Sequence, residues 1–118
     1  MRLLSLRFEQ VEQHYRLTGK MIMIELTLVS KGSHPIRAVV EAALKNEYQE
    51  LLVGIQKTKE RVQAFEKKYK MVTDEFLKRY ADGDFQHSFD YDEWIGESRM
   101  LLHLTEKAET LRSIEVAN

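Results

Sequence analysis

Residues 35–69, PIRAVVEAALKNEYQELLVGIQKTKERVQAFEKKY, decide the fold. From Leu44 onward the apolar side recurs at alternating steps of four and three: Leu44, Tyr48, Leu51, Ile55, Thr58, Val62, Phe65, Tyr69. That spacing predicts one continuous helix carrying a left-handed coiled-coil seam, with Thr58 as its one polar member. At 1.5 Å per residue such a helix is about 52 Å long, whereas a domain of this size has a radius of gyration of only about 13 Å. The helix outreaches what the other residues can cover. A second copy is the expected cover, which gives a homodimer on the seam Leu44, Tyr48, Leu51, Ile55, Val62 and Phe65. Parallel and antiparallel arrangements both remain open.

Composition bounds the class. A chain of 118 residues that is 43% apolar is long enough for one core and too short for two. The absence of cysteine excludes disulfides, thiolate zinc sites and thiol nucleophiles, and fits a reducing compartment. No run approaches the 18 apolar residues of a membrane span. MRLLSLRFEQ is too short and too interrupted by charge for a secretory signal. A cytoplasmic location and no membrane partner are expected.

The net charge of −1 hides an uneven distribution. Residues 57–70 carry Lys57, Lys59, Arg61, Lys67, Lys68 and Lys70 against two glutamates. Residues 71–94 carry Asp74, Glu75, Asp82, Asp84, Asp90, Asp92 and Glu93 against Lys78 and Arg79. The simplest account has the acidic segment folding back beside the basic helix end. A basic patch for nucleic acid is disfavoured by the pI of 6.4 and by the lack of a helix-turn-helix.

Residues 1–20 read two ways. Leu4, Phe8, Val11 and Tyr15 have helical spacing, while Leu4, Leu6 and Phe8 alternate as in a strand; Thr18-Gly19 is a break. Ile22, Ile24, Leu26 and Leu28 recur at period two, a strand that needs residues 3–8, or the same strand of a second subunit, as its partner. Residues 1–29 therefore form an N-terminal arm, ambiguous between helix and strand or hairpin, and residues 30–118 a helical domain. Pro35 suits the first helical position, with Ser33 the better cap and His34 an exposed loop residue. Gly54 inside the long helix marks close approach by a neighbour.

Further along, Thr73 reads as the N-cap of a short helix Asp74–Asp82, Val72 and Leu77 as its hydrophobic staple, and Gly83 as its left-handed stop. Asp90 with Glu93 resembles a capping box, and Phe89 with Trp94 a second staple. The last helix is expected to run to about Glu115, with Trp94, Ile95, Leu101, Leu102, Leu104, Ala108 and Leu111 inward and Gly96 permitting close packing. The fold class is then all-α: a long helical hairpin with a short connecting helix, dimeric.

The stretches FEKKYKMVTDEFLKRYADGDF and DYDEW carry a resemblance. Phe65, Lys68, Tyr69, Met71, Thr73, Glu75, Phe76, Tyr80, Gly83, Asp90, Glu93 and Trp94 are similar to the pattern of a family of small helical prokaryotic proteins, largely uncharacterised and antitoxin-like. The resemblance covers residues 23–112, with Met21 or Met23 as an alternative start. Where that family usually has glycine this chain has Lys70, so the turn there is either strained or differently shaped. The resemblance implies a protein that binds a partner, a small toxin encoded nearby, without catalysis. A self-assembling structural or adaptor protein is the alternative.

Residues that could carry chemistry are few. The histidines at 14, 34, 87 and 103 are dispersed. Asp82, Asp84, His87, Asp90 and Asp92 have metal-like density but not the spacing of a hard-cation loop, so no metal and no cofactor are expected. Arg99 and His103 fall one residue short of the spacing used by helical ribonucleases. There is no phosphate loop, nucleophile elbow or zinc-protease motif. Seven aromatics between Tyr69 and Trp94 suit a local core. They also suit a partner-binding patch built from Lys67, Lys68, Tyr69, Phe76, Tyr80, Phe85 and Trp94, aromatic anchors inside a charged rim.

Overall fold

A computed structural model describes residues 2–10 and 22–117. The chain is mostly helical, with α1 over Arg37–Tyr69, α2 over Thr73–Ala81 and α3 over Phe89–Arg112. Strands β1 (Arg2–Gln10), β2 (Ile22–Ser30) and β3 (Ile114–Ala117) complete it. The all-α expectation therefore needs a sheet added to it. Two compact units divide the chain, one drawing on its two ends (up to Glu50 and from Lys107) and one spanning Leu51–Glu106.

The first unit contains the sheet, in the order β2-β1-β3 with both pairings antiparallel. Period-two patterning explains the register. Leu4 stands opposite Leu28, Leu6 opposite Leu26 and Phe8 opposite Ile24. On the other side of β1, Leu6 stands opposite Val116 and Phe8 opposite Ile114. The strand alternative for residues 3–8 and the hairpin partner for residues 22–30 are thus what the chain adopts. Val11, Tyr15 and the break at Thr18-Gly19 lie outside the described residues. The end of the chain departs from expectation: α3 stops at Arg112, three residues early, and Ile114–Ala117 is strand. Ile114 and Val116 are β-branched, and Ser113 closes the helix by donating its N–H to Glu109 and its hydroxyl to Thr110. Arg37 Nη2 donates to the Val116 carbonyl at 3.1 Å, tying β3 to the first turn of α1. That helix starts two residues after Pro35, with the Ile36 carbonyl accepting its first bond from Val40.

In the second unit α1 and α3 run antiparallel. Gly54 faces Leu104, Arg61 pairs with Glu97 at 3.5 Å, and the ring of Phe65 stacks on that of Trp94 at 5.8 Å. Leu51, Thr58 and Val62 are buried as a result. At these three positions the seam is covered within the chain and is closed to a second copy. Leu44, Tyr48, Ile55, Phe65 and Tyr69 are half-buried. Thr58, the polar member, is satisfied because its hydroxyl donates to the Gly54 carbonyl at 2.8 Å. Gly96 has nothing within 4 Å of where a Cβ would stand, so it does not serve close packing. Leu102, expected inward, is 60% exposed.

Both turns of this unit are closed by backbone geometry. Gly83 has φ +81°, its N–H donates to Tyr80 and that of Asp84 to Arg79, a Schellman stop for α2 as expected. At the end of α1 the same role falls to Lys70, with φ +53° and the Met71 N–H donating to the Glu66 carbonyl. The turn keeps the glycine shape, and lysine bears the strain. The expected caps are different. Thr73 lies inside α2, and the residue before it, Val72, offers no side-chain cap; Glu66 reaches across from α1 and accepts the Thr73 N–H at 2.7 Å. At α3 the cap is Ser88, whose Oγ accepts the Tyr91 N–H at 3.1 Å, not Asp90. Phe89 is 94% exposed and Val72 61%, so neither staple closes.

Candidate functional site

The aromatic residues between Phe65 and Trp94 come together, but inward. Phe76 and Trp94 are completely buried, with parallel rings whose centroids lie 3.9 Å apart. Tyr69 also stacks with the indole at 5.8 Å, as Phe65 does, and Tyr91, Phe85 and Tyr80 surround Phe76. The indole Nε1 donates to Thr73 Oγ1 at 3.0 Å, and that hydroxyl in turn donates to Glu66 Oε2 at 3.0 Å. The one polar side-chain atom of the fully buried Phe76–Trp94 pair is thereby paired, as burial requires. Phe76 and Trp94 are core residues and are out of a partner's reach, which corrects their assignment to a docking patch. Of the other residues assigned to that patch, Lys67 and Lys68 are exposed, and Tyr69, Tyr80 and Phe85 are half-buried in the ring cluster.

At the edge of the cluster Asp90 Oδ2 is shared. Lys68 Nζ donates to it at 2.6 Å and the Tyr69 hydroxyl donates to the same oxygen. The hydrogen bond from Lys68, followed by that from Tyr69, holds the Asp90 carboxyl below the ordinary carboxylate range. The same contacts with Asp90 hold the Lys68 ammonium and the Tyr69 phenol above their ordinary values. The acidic segment does therefore meet the basic helix end through Lys68–Asp90, and Arg61 pairs further along with Glu97 of α3. Two further acids are engaged locally, Asp84 by Arg79 and Asp92 by His87. Among the described residues no three His, Asp or Glu side chains converge as a metal site. Arg99 and His103 are both exposed on α3.

Two features were not foreseen. One is a cleft of about 890 Å³ within the second unit, walled by all three helices. Val62 and Gln63 of α1, Leu77 and Ala81 of α2, and Ile95 and Leu101 of α3 form its sides. Lys59 and Arg99 stand on opposite walls, and Glu66, Thr73 and Asp74 close the end beside α2. The second feature is the surface of β2, where Met23, Ile24, Leu26 and Val29 are each 44–56% exposed. Ser88, placed directly before the acidic first turn of α3, was the legible sign of its cap; no local pattern marked the cleft, because it arises from three separated helix faces. The helices of the described residues include none long and apolar enough to cross a membrane. No family model, no curated protein and no solved structure matches this chain.

Proposed function

We propose that the protein works by binding protein chains, without catalysis, and that it does so as a homodimer joined through β2. Antitoxin-like partner binding is the form that the sequence resemblance gives to this reading. The observation that carries it is the sheet margin. Among the described residues β2 has a strand neighbour on one side only, and it is nine residues long with no proline. Soluble monomers blunt such margins with charge, proline or a cover. Here the apolar side chains at 23, 24, 26 and 29 stand exposed instead.

Antiparallel pairing of two β2 strands about Leu26 is self-complementary, as a two-fold interface must be. It sets Ile24 of each copy opposite Leu28 of the other, Met23 opposite Val29, and Glu25 opposite Thr27, so no like charges meet. The helix seam gives partial support by exclusion, since Leu51, Thr58 and Val62 are already buried within the chain.

The test is the mass in solution. Wild-type protein should sediment as a dimer, and Leu26→Lys as a monomer with unchanged near-ultraviolet dichroism from Trp94. A monomeric wild type, or a Leu26→Lys variant that stays dimeric, removes the sheet dimer. Co-purification with the product of the neighbouring gene then separates the two functional forms. A stoichiometric complex favours the antitoxin-like reading, and self-association alone favours the adaptor.

A further inference from the structure

We infer that the three-helix cleft is a binding site for a small amphipathic carboxylate, with an apolar body on its floor and its anionic head between Lys59 and Arg99. The volume, about 890 Å³, lies in the range of small-molecule sites. Its walls supply the body's contacts: Val62 from α1, Leu77 from α2, Ile95 and Leu101 from α3. A cleft of this kind usually carries a few placed polar groups that fix orientation, and here two cations do so.

Lys59 lines the cleft from α1 and Arg99 from α3. The antiparallel pairing of α1 with α3, read from Arg61 with Glu97 and Phe65 with Trp94, puts residue 59 at the level of residue 99. Neither makes an ion pair or hydrogen bond among the described residues, whereas Arg61, two residues beyond Lys59, is paired with Glu97. Both cations lie at the exposed rim, so they keep their hydration until a ligand arrives. The far end of the cleft has the opposite character. Glu66, already accepting two hydrogen bonds from Thr73, and Asp74 stand there. A carboxylate is repelled from that end and drawn to the cation pair. Seven residues of α1 separate Lys59 from Glu66, about 10 Å along the axis, which leaves room for a short alkyl chain or a single ring on the floor.

This selects against three related ligands. A neutral alcohol of the same chain gains the floor but not the rim. A quaternary ammonium of the same chain meets two positive charges. A hydrophilic dianion gains the rim but not the floor.

Calorimetric titration of the full-length protein with decanoate, decanol, decyltrimethylammonium and succinate tests the assignment. Decanoate should bind at one site per chain, at least tenfold tighter than decanol, with no saturable binding of the other two. Lys59→Gln with Arg99→Gln should weaken decanoate at least tenfold and leave decanol unchanged. Ala81→Phe, which fills the cleft from α2, should abolish both without loss of helicity. Two results would overturn the proposal: decanoate and decanol binding alike, or the charge-neutral double variant binding decanoate as the wild type does. Absence of saturable decanoate binding to the folded protein would also end it.

Discussion

Lys70 occupies a backbone position that most side chains avoid. At φ +53° its Cβ crowds the following carbonyl, a cost of roughly 1–2 kcal/mol for a non-glycine residue. Lys70→Gly should therefore raise stability by about 1 kcal/mol, offset in part by the greater freedom glycine gives the unfolded chain. Thermal unfolding should show a midpoint a few degrees higher. Gly96 is the converse case. It sits inside α3 with open space around the missing Cβ, so Gly96→Ala should stabilise by about 0.5–1 kcal/mol through helix propensity alone. A destabilised Gly96→Ala protein would mean that something packs on that face. Asp90 gives a pH test. Its folded carboxyl is held below the unfolded value by Lys68 and Tyr69, so its contribution is present above the ordinary aspartate range. It is lost as the pH falls through the lower, folded value. Lys68 and Tyr69 are shifted upward, so theirs is present at neutral pH and is lost on raising the pH through their folded values. Asp90→Asn should flatten both limbs of the stability profile, and carbon-detected titration of the Asp90 carboxyl should show its midpoint below that of an exposed aspartate.

Element by element, the helices were legible and their starts were not. The four–three spacing from Leu44 to Tyr69 placed α1, and Gly83 placed the stop of α2, because both signals are local. The caps were misread for a physical reason. Thr73 and Asp90 are good capping residues, yet each has a stronger distant partner: Thr73 serves Trp94 and Glu66, and Asp90 serves Lys68 and Tyr69. Strand β3 was hidden in the same way. Four residues carry too little periodicity to be read alone, and only the register with Leu6 and Phe8 defines them. The candidate site suffered most, because aromatic residues crowded in sequence look alike whether they face a partner or one another. Stacking between Phe76 and Trp94 makes α2 depend on α3. Phe76→Ala should cost about 3–5 kcal/mol, the usual penalty for emptying a buried aromatic position. Against a typical total of about 5–15 kcal/mol, urea unfolding should show a large drop in midpoint with Trp94 fluorescence shifted to the red.

At the scale of the whole molecule, β1 is held between strands from opposite ends of the sequence. Leu6 pairs with Leu26 on one side and Val116 on the other. The second pairing closes a loop of more than a hundred residues, and such closure is entropically expensive until the intervening helices have shortened the distance. Distant pairings of this kind are slow to form, whereas the contiguous helical unit Leu51–Glu106 closes shorter loops. Refolding should accordingly occur in two steps, a fast change in Trp94 fluorescence followed by a slower gain of strand signal. Deleting residues 113–118 should abolish the slow step without touching the fast one. During synthesis the delay is longer still. β3 is made more than a hundred residues after β1, so a nascent chain exposes the unpaired side of β1 until β3 has left the ribosome.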